Sequence, residues 1–400
     1  MIKAGGNKIL FITQWQYNDA LIQTYTLPYI RIVQNITGCY TYLIATTKKT
    51  SSIKISKRQN VVLIELPVSK SFLLLRWFFN IIAIRRIVRR KKISVLHTMC
   101  TPAGSIGALL KILNRKLMLI LDSVEPHAES MVEGGQWKKG NMKFRLLFYM
   151  EKKQVKVADK LIMAAEGMDR YIFKKYGIVV TDFQIKPACV DLNLFSGSVI
   201  KDKQLLAQYN LTDKITCLYA GKLGGFYLDD ELFAFVKQCE NYWGITKFRF
   251  LMLSGEDGAY VNKQRIKHEI DDDTLIKLFV PHKDVPKYMG MADFAVSPFK
   301  LLPSKRYSTP IKNGEYMALG LPIVITPNIS TDSDIIAQNY AGAIIETLNE
   351  VGYLNAIKRI ESLLINNSRQ EIYNRIRPLA EKYRNFTIAE EAYRLVYDSL

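Results

Sequence analysis

Two doubly wound α/β domains in series are the fold class that the sequence predicts, on three observations. Short β-rich runs alternate with helical stretches, the pattern of helices covering both faces of a parallel sheet. The alternation pauses at a turn-rich stretch near residues 187–203 and then restarts. The chain has 400 residues, 48% of them apolar, and single cores usually stop growing before about 250–300 residues. The expected domains are 1–200 and 201–400.

The elements follow in order. "KILFIT" near the start reads as a first buried strand, since its apolar run is far too short for a signal-peptide core. "YTYLIAT", "NVVLIEL", "SVLHT", "LMLILD" and "KLIMA" are the later strands of the first domain, and "ITCLYA", "FRFLMLS", "LIKLFV", "DFAVS", "IVIT" and "AIIE" those of the second. "RNFTIAEEAYRLVYDSL" closes the chain as a helix over about 387–399, with Ile388, Ala392, Leu395 and Val396 on one face. Docking back on the first domain is one arrangement open to it. No solenoid-length repeat or low-complexity tract is present.

Charge divides the two halves. Residues 1–200 hold 31 Lys+Arg against 12 Asp+Glu and residues 201–400 hold 25 of each, so the whole net charge of +19 lies in the first half. One half is thereby suited to an anionic surface or ligand, or else simply carries solvated cations. The concentrated part is "SFLLLRWFFNIIAIRRIVRRKK", residues 71–92. Arg76 and Asn80 interrupt its apolar stretch and the charges start at Arg85, well short of the ~20 apolar residues of a spanning helix. Apolar residues on more than one face (Phe72, Leu74, Trp77, Phe79, Ile82) ahead of a basic cluster suit an interfacial helix on an anionic membrane surface. The alternative is a core helix with cations at its C-terminal end. No reader motif accompanies the cations, so nucleic acid is not an expected partner. The five cysteines are odd in number and widely spaced, which fits buried thiols in a reducing compartment and neither zinc nor disulfides. A cytoplasmic protein, peripheral on the inner face of the cell membrane, is the expectation.

In open parallel sheets ligands bind beyond the carboxyl ends of the strands, and three such places stand out. In "STPIKNGEYMALGLPIVIT" Thr309 suits an N-cap, Pro310 the first helical position and Gly320 the stop. Lys312 then falls in the first turn, where a cation opposes the helix dipole unless an anion is also present. Free backbone N–H groups, the hydroxyls of Ser308 and Thr309 and the Lys312 ammonium make a diphosphate site. Glu315, on the same face, can accept the hydroxyls of a ribose; the plain alternative is a Lys312–Glu315 surface pair. In "CLYAGKLGGFYLDDELF" Gly221 allows close approach of a phosphate and Lys222 projects from the strand end. In "LILDSVEPHAESM" Asp122, Glu125, His127 and Glu129 cluster after a strand, a candidate set for proton or hydroxyl contacts. "DSD" at 332–334 matches a metal-binding D-x-D pattern of sugar transferases, but the pattern is short and no metal is expected.

The segments "PHKDVPKYMGMADFAVSPF" and "STPIKNGEYMALGLPIVIT" resemble the donor-binding half of the retaining family 4 glycosyltransferases, and "ADKLIMAAEGMDRYIFKKYG…IKPACVDLNLF" is similar to that family's end-of-first-domain signature. The resemblance implies the GT-B fold, two Rossmann-like domains facing across a cleft, the first on the acceptor side and the second binding a nucleotide sugar. It implies transfer of a sugar from a nucleotide diphosphate donor to a hydroxyl of a saccharide or polyprenyl-linked acceptor, with retention, no cofactor and no metal, in cell-surface polysaccharide synthesis. Gly221 and Lys222 match the family's diphosphate turn, Glu315 its ribose ligand, and His127 its first-domain histidine near the transferred sugar. Lys222 and Lys312 would stabilise the leaving-group charge, and Asp122, Glu125 and Glu129 lie on the acceptor side. The sequence departs from the pattern at Tyr307, where the family's other Glu stands, and near Tyr227, where it has a second basic residue. A nucleotide-sugar epimerase of the same fold, and a non-catalytic membrane-associated partner of a glycan assembly complex, are the alternative readings.

Overall fold

The computed structural model describes residues 7–48, 52–58, 60–68 and 73–398, with the side chains of 73–77 left aside. The chain forms two compact units. The first comprises residues 1–133, 137–187 and 387–400, and the second residues 134–136 and 188–386.

The strands of the first unit are β1 (Lys8–Gln16), β2 (Tyr40–Thr47), β3 (Lys54–Arg58), β4 (Val61–Pro67), β5 (Val95–Met99), β6 (Met118–Val124), β7 (Lys160–Met163) and β8 (Phe183–Ile185), in the spatial order β3-β4-β2-β1-β5-β6-β7-β8. All neighbours are parallel except the edge pair β3–β4. Its helices are α1 (Leu27–Thr37), α2 (Leu73–Lys91), α3 (Thr101–Leu113), α4 (His127–Glu133), α5 (Met142–Val157) and α6 (Met168–Tyr176). Buried runs such as Ile9–Ile12 and Leu119–Leu121 face helices on both sides, which is why these strands read as continuous apolar segments. β3 and β8 were not apparent from sequence. "KISKR" is polar on both faces at an exposed edge, and β8 has only three residues.

The second unit contains α7 (Lys203–Gln208), β9 (Ile215–Ala220), α8 (Asp230–Trp243), β10 (Phe248–Leu253), α9 (Gly258–Lys267), β11 (Leu275–Leu278), α10 (Val285–Met289), β12 (Phe294–Ser297), α11 (Ile311–Ala318), β13 (Ile323–Ile325), α12 (Asp332–Gln338), β14 (Gly342–Ile344), α13 (Glu350–Asn366) and α14 (Arg369–Tyr383). Its parallel sheet runs β11-β10-β9-β12-β13-β14. Alternate residues of β9 and of β10 feed two cores: Leu218 and Leu251 join the cluster beneath α11 and α14, while Cys217, Tyr219 and Phe250 join the one beneath α8 and α13. Both faces are buried, as the period-two geometry of a covered sheet requires.

The passage between units falls at Pro187–Ala188 rather than at residue 200. Residues 188–200 pack with the second unit: Phe195 is in its core, Val190 N–H donates to the Arg384 carbonyl, and Arg377 donates to the carbonyls of Leu192 and Phe195. The final helix, α15 (Phe386–Tyr397), belongs from Thr387 onward to the first unit. There Tyr393 and Tyr397 are fully buried.

In α2, Ile81, Ile84 and Val88 are buried while Phe78, Phe79, Arg85, Arg86, Arg89 and Arg90 are exposed. Phe72 lies outside the described residues, as do the side chains of Leu74 and Trp77. Among the described residues no helix is long and apolar enough to cross a membrane.

Candidate functional site

Counted from β9, the second sheet has the order 3-2-1-4-5-6, so its connections leave in opposite directions from β9 and β12. The carboxyl ends of those two strands are therefore the switch point of the sheet, the place where open α/β sheets bind ligands. Three segments meet there: the turn after β9, the chain after β12, and the start of α11.

The turn after β9 is fixed through its backbone. Gly221 N–H donates to the Leu253 carbonyl, Leu223 N–H donates to Glu256 Oε1 at 3.0 Å, and the Tyr219 hydroxyl donates to the Lys222 carbonyl. Gly221 has φ +140°, a conformation other residues rarely adopt. The following residues lie along the chain after β12, with Leu228 N–H on the Pro298 carbonyl and Lys300 N–H on the Phe226 carbonyl. Lys222 itself is exposed.

α11 starts at Ile311, and Pro310, not Thr309, is its N-cap residue. Thr309 Oγ1 accepts a hydrogen bond from Ala188 N–H at 3.0 Å instead, and the Ser308 hydroxyl reaches the Lys305 carbonyl at 3.5 Å. Lys312 is in the first turn, as its sequence position requires. Its side chain is 9% exposed and its Nζ has no hydrogen-bond partner among the described residues. The ammonium lies 3.9 Å from the ring centre of Tyr227, 4.4 Å from that of Tyr219 and 5.9 Å from that of Phe299. It approaches Gly221 so closely that a Cβ there would sit 2.8 Å from Nζ. Burial lowers the Lys312 pKa to about 7, against the charge of Glu315. Desolvation likewise raises the Glu315 carboxyl to about 7, against the charge of Lys312. Burying charges with few partners is costly, and a bound anion would offset that cost for Lys312.

Behind this face the helix is anchored by a buried chain of polar groups. The Ser297 hydroxyl donates to Asn313 Oδ1 at 2.6 Å, Asn313 Nδ2 donates to Asp332 Oδ2 at 2.7 Å, and Asp332 Oδ1 pairs with Arg384. Arg384 in turn donates to the Ala188 carbonyl at 3.4 Å. Asp332 is thus committed to an ion pair, and Asp334 pairs with Arg306 at 2.7 Å. The D-x-D pattern is a scaffold feature. Lys305, 6% exposed with Nζ 3.7 Å from the Phe226 ring centre, joins Tyr219, Tyr227, Phe299, Asn313 and Arg384 as a site residue that sequence reasoning missed. Its one local signal is a pair of consecutive aromatics, Phe226–Tyr227, each of which faces a different lysine.

In the first unit, the predicted acidic cluster separates. Asp122 is 2% exposed; it pairs with Lys186 at 3.3 Å and His97 at 3.1 Å and accepts from Tyr393 at 2.6 Å. Burial alone would raise its pKa, but Lys186 and the hydrogen bonds from His97 and Tyr393 hold it well below the usual carboxylate range. Burial pushes His97 down. This is a core network that ties α15 to the first sheet. His127 opens α4, partly exposed, with Nδ1 3.6 Å from Glu125 Oε1. Glu129 accepts from Tyr171 at 2.6 Å and Lys175 at 2.5 Å. Glu151, missed in the sequence, accepts from Ala128 N–H at 2.8 Å and Tyr176 at 3.0 Å; burial raises its carboxyl to about 7. Of the first-unit candidates, His127 and Glu125 remain together and accessible.

Two parallel-sheet units, with the last helix returning to the first, define a GT-B protein. Residues 226–378, within the second unit, match the family model described as glycosyl transferases group 1. Among solved structures, sucrose-phosphate synthase from Thermosynechococcus elongatus is similar over 98% of this chain and 100% of its own, with a TM-score of 0.76 at 14% identity. WaaG, a glycosyltransferase involved in lipopolysaccharide biosynthesis, covers 97% and 99% with a TM-score of 0.72 at 14% identity. HepE from Anabaena, in complex with UDP and glucose, covers 98% and 100% with a TM-score of 0.73 at 12% identity. No curated protein sequence matches.

Proposed function

We propose that the protein transfers a sugar from a nucleotide diphosphate donor to a hydroxyl of a lipid-linked saccharide, with retention of anomeric configuration, during cell-surface polysaccharide synthesis in the cytoplasm. The observation that carries the donor assignment is the buried Lys312 ammonium without a hydrogen-bond partner, in the first turn of α11 at the switch point of the sheet. A diphosphate there would meet that cation, the first-turn N–H groups, which lack intrahelical acceptors, and Lys222 across the turn. Glu315, three residues on in the same helix, would accept ribose hydroxyls. The complex of HepE with UDP and glucose supports a nucleotide donor as a class.

The chemistry asks for charge stabilisation more than for covalent help. The bond between the anomeric carbon and the diphosphate oxygen breaks, the acceptor oxygen bonds that carbon, and the acceptor proton passes to the departing phosphate oxygen. Lys312, Lys222 and the helix start supply preorganised positive potential for the leaving group. His127, beside Glu125, is assigned to hydroxyls of the transferred sugar. No metal is assigned to the site, because Asp332 is held by Arg384 and Asn313. Membrane association through α2 would bring the enzyme to a lipid-carried acceptor.

A thermal-shift panel of UDP, GDP, ADP, CMP and dTDP tests the reading, since a ligand at ~100 Kd adds about 2.7 kcal/mol to the native state. One nucleotide raising the Tm, with the shift lost in Glu315→Ala, is expected. Silence across the panel overturns the donor site and leaves the non-catalytic partner as the better reading.

A further inference from the structure

Among the described residues, two buried lysines each lie within reach of three aromatic rings, and they differ in one respect. Lys186 in the first unit lies 3.8 Å from the Tyr29 ring centre, 5.0 Å from Tyr25 and 5.7 Å from Tyr393. Its ammonium is also neutralised by Asp122 at 3.3 Å and hydrogen-bonded to the Tyr25 hydroxyl at 3.3 Å. That is a structural lysine with its donors used. Lys312 has a similar three-ring enclosure and leaves its donors unused. The rings favour the charged form through their quadrupoles without consuming an N–H, so they hold the cation in place while a ligand can still take its hydrogen bonds.

Tyr219 does this at one end and something else at the other. Its ring faces Lys312 and its hydroxyl donates to the carbonyl of Lys222, three residues on in the turn whose Gly221 abuts Lys312 Nζ. Tyr227 is held over Lys312 by the bridge to Phe299 and by tilted ring packing on it at 4.7 Å. We infer that Tyr219 and Tyr227 are positioning residues for anion binding: their rings hold the Lys312 ammonium at the carboxyl end of β9, and the Tyr219 hydroxyl sets the Lys222 turn against it. The inference rests on the donor-site reading above for the identity of the anion, and on the geometry alone for the cage.

The ring and the hydroxyl can be separated. Tyr219→Phe keeps the ring, so Lys312 titrates as in the wild type, but frees the Lys222 turn; affinity for the nucleoside diphosphate that binds the wild type falls about ten-fold, the size of one lost hydrogen bond. Tyr227→Leu removes a ring over the cation, and Lys312 loses its proton at a lower pH. The titration is read without any ligand, from the pH dependence of reductive methylation at Lys312 followed by mass spectrometry. Tyr227→Phe should restore the wild-type profile. A general loss of packing would move both readouts in both variants. An unchanged Lys312 titration in Tyr227→Leu overturns the cage, and an unchanged affinity in Tyr219→Phe overturns the hydroxyl's role. A wild-type protein that binds none of the nucleotides refutes the donor assignment and the hydroxyl's role together, while the methylation profile still decides the cage.

Discussion

At Lys312 a local rule of helix chemistry is broken, a cation in the first turn, and the residue is also buried, so its presence lowers stability. Its pKa falls from 10.5 to about 7, so between those values the unfolded chain binds more protons than the folded one. Stability from this group therefore rises with pH across that window, and its cost is largest below pH 7. Lys312→Met should stabilise the protein at pH 6 by about 1–4 kcal/mol, as replacing buried charges by apolar groups often does. The gain should shrink toward pH 10 and nucleotide binding should be lost; urea titrations at both pH values check this. Glu151 shows the opposite slope. Its carboxyl is raised from 4.5 to about 7 by burial, so the folded chain holds more protons between those values and stability falls as pH rises through them. Glu151→Gln should be nearly neutral at pH 4.5 and stabilising by about 2 kcal/mol at pH 8, measured as a shift of the urea midpoint.

At the scale of elements, the turn after β9 and the start of α11 depend on each other through Gly221. A methyl group at that position would sit 2.8 Å from Lys312 Nζ on a backbone at φ +140°. Gly221→Ala should weaken nucleotide binding at least ten-fold while leaving both sheets formed, seen as lost thermal shift with unchanged far-UV circular dichroism. The α11 anchor predicts a contrasting effect. Asp332→Asn leaves Arg384 buried without its counter-charge, at a cost of about 3–5 kcal/mol, so the variant should unfold early in urea; a wild-type midpoint would show that the pair contributes little.

These two elements also show what sequence could reveal. The positions of Gly221 and Lys222 just after β9, and of Lys312 and Glu315 early in α11, were legible because their signals are local: a glycine after a strand, a cation where the dipole disfavours one. The cage of Tyr219, Tyr227 and Phe299 was not, because it exists only once β9 and β12 are neighbours, a pairing between segments some 77 residues apart in register (Phe294 against Cys217). Asp122 was read as a site residue for the same reason: nothing local shows that Lys186 and Tyr393 converge on it. The strands "ITCLYA" and "DFAVS" were legible because both their faces are buried, whereas "KISKR" at the edge has no apolar face to detect.

At the scale of the whole molecule, the net charge of +19 comes from the first half of the sequence, and α2 gives part of it a direction. Phe78, Arg85 and Arg89 are spaced i, i+7 and i+11, and Phe79, Arg86 and Arg90 repeat that spacing, so exposed rings and cations share one stripe while Ile81, Ile84 and Val88 are buried opposite. The buried stripe accounts for α2 as a packed helix, and the exposed one has the composition that the proposed docking on an anionic surface requires, rings for headgroup depth and cations for anionic lipid. Each arginine near such a surface contributes about 1 kcal/mol, so four together change a partition coefficient by roughly three orders of magnitude. The protein should co-sediment with vesicles containing phosphatidylserine at low ionic strength and be released by high salt as the screening length falls to about 3 Å at 1 M. Replacing Arg85, Arg86, Arg89 and Arg90 by Gln should abolish sedimentation, and Phe78→Ser with Phe79→Ser should weaken it at every salt concentration. Both variants should retain the nucleotide-dependent thermal shift, because they leave the second unit untouched. A wild-type protein that stays in the supernatant at low salt would make the stripe an ordinary solvated face and remove the membrane from the proposed function without disturbing the donor site.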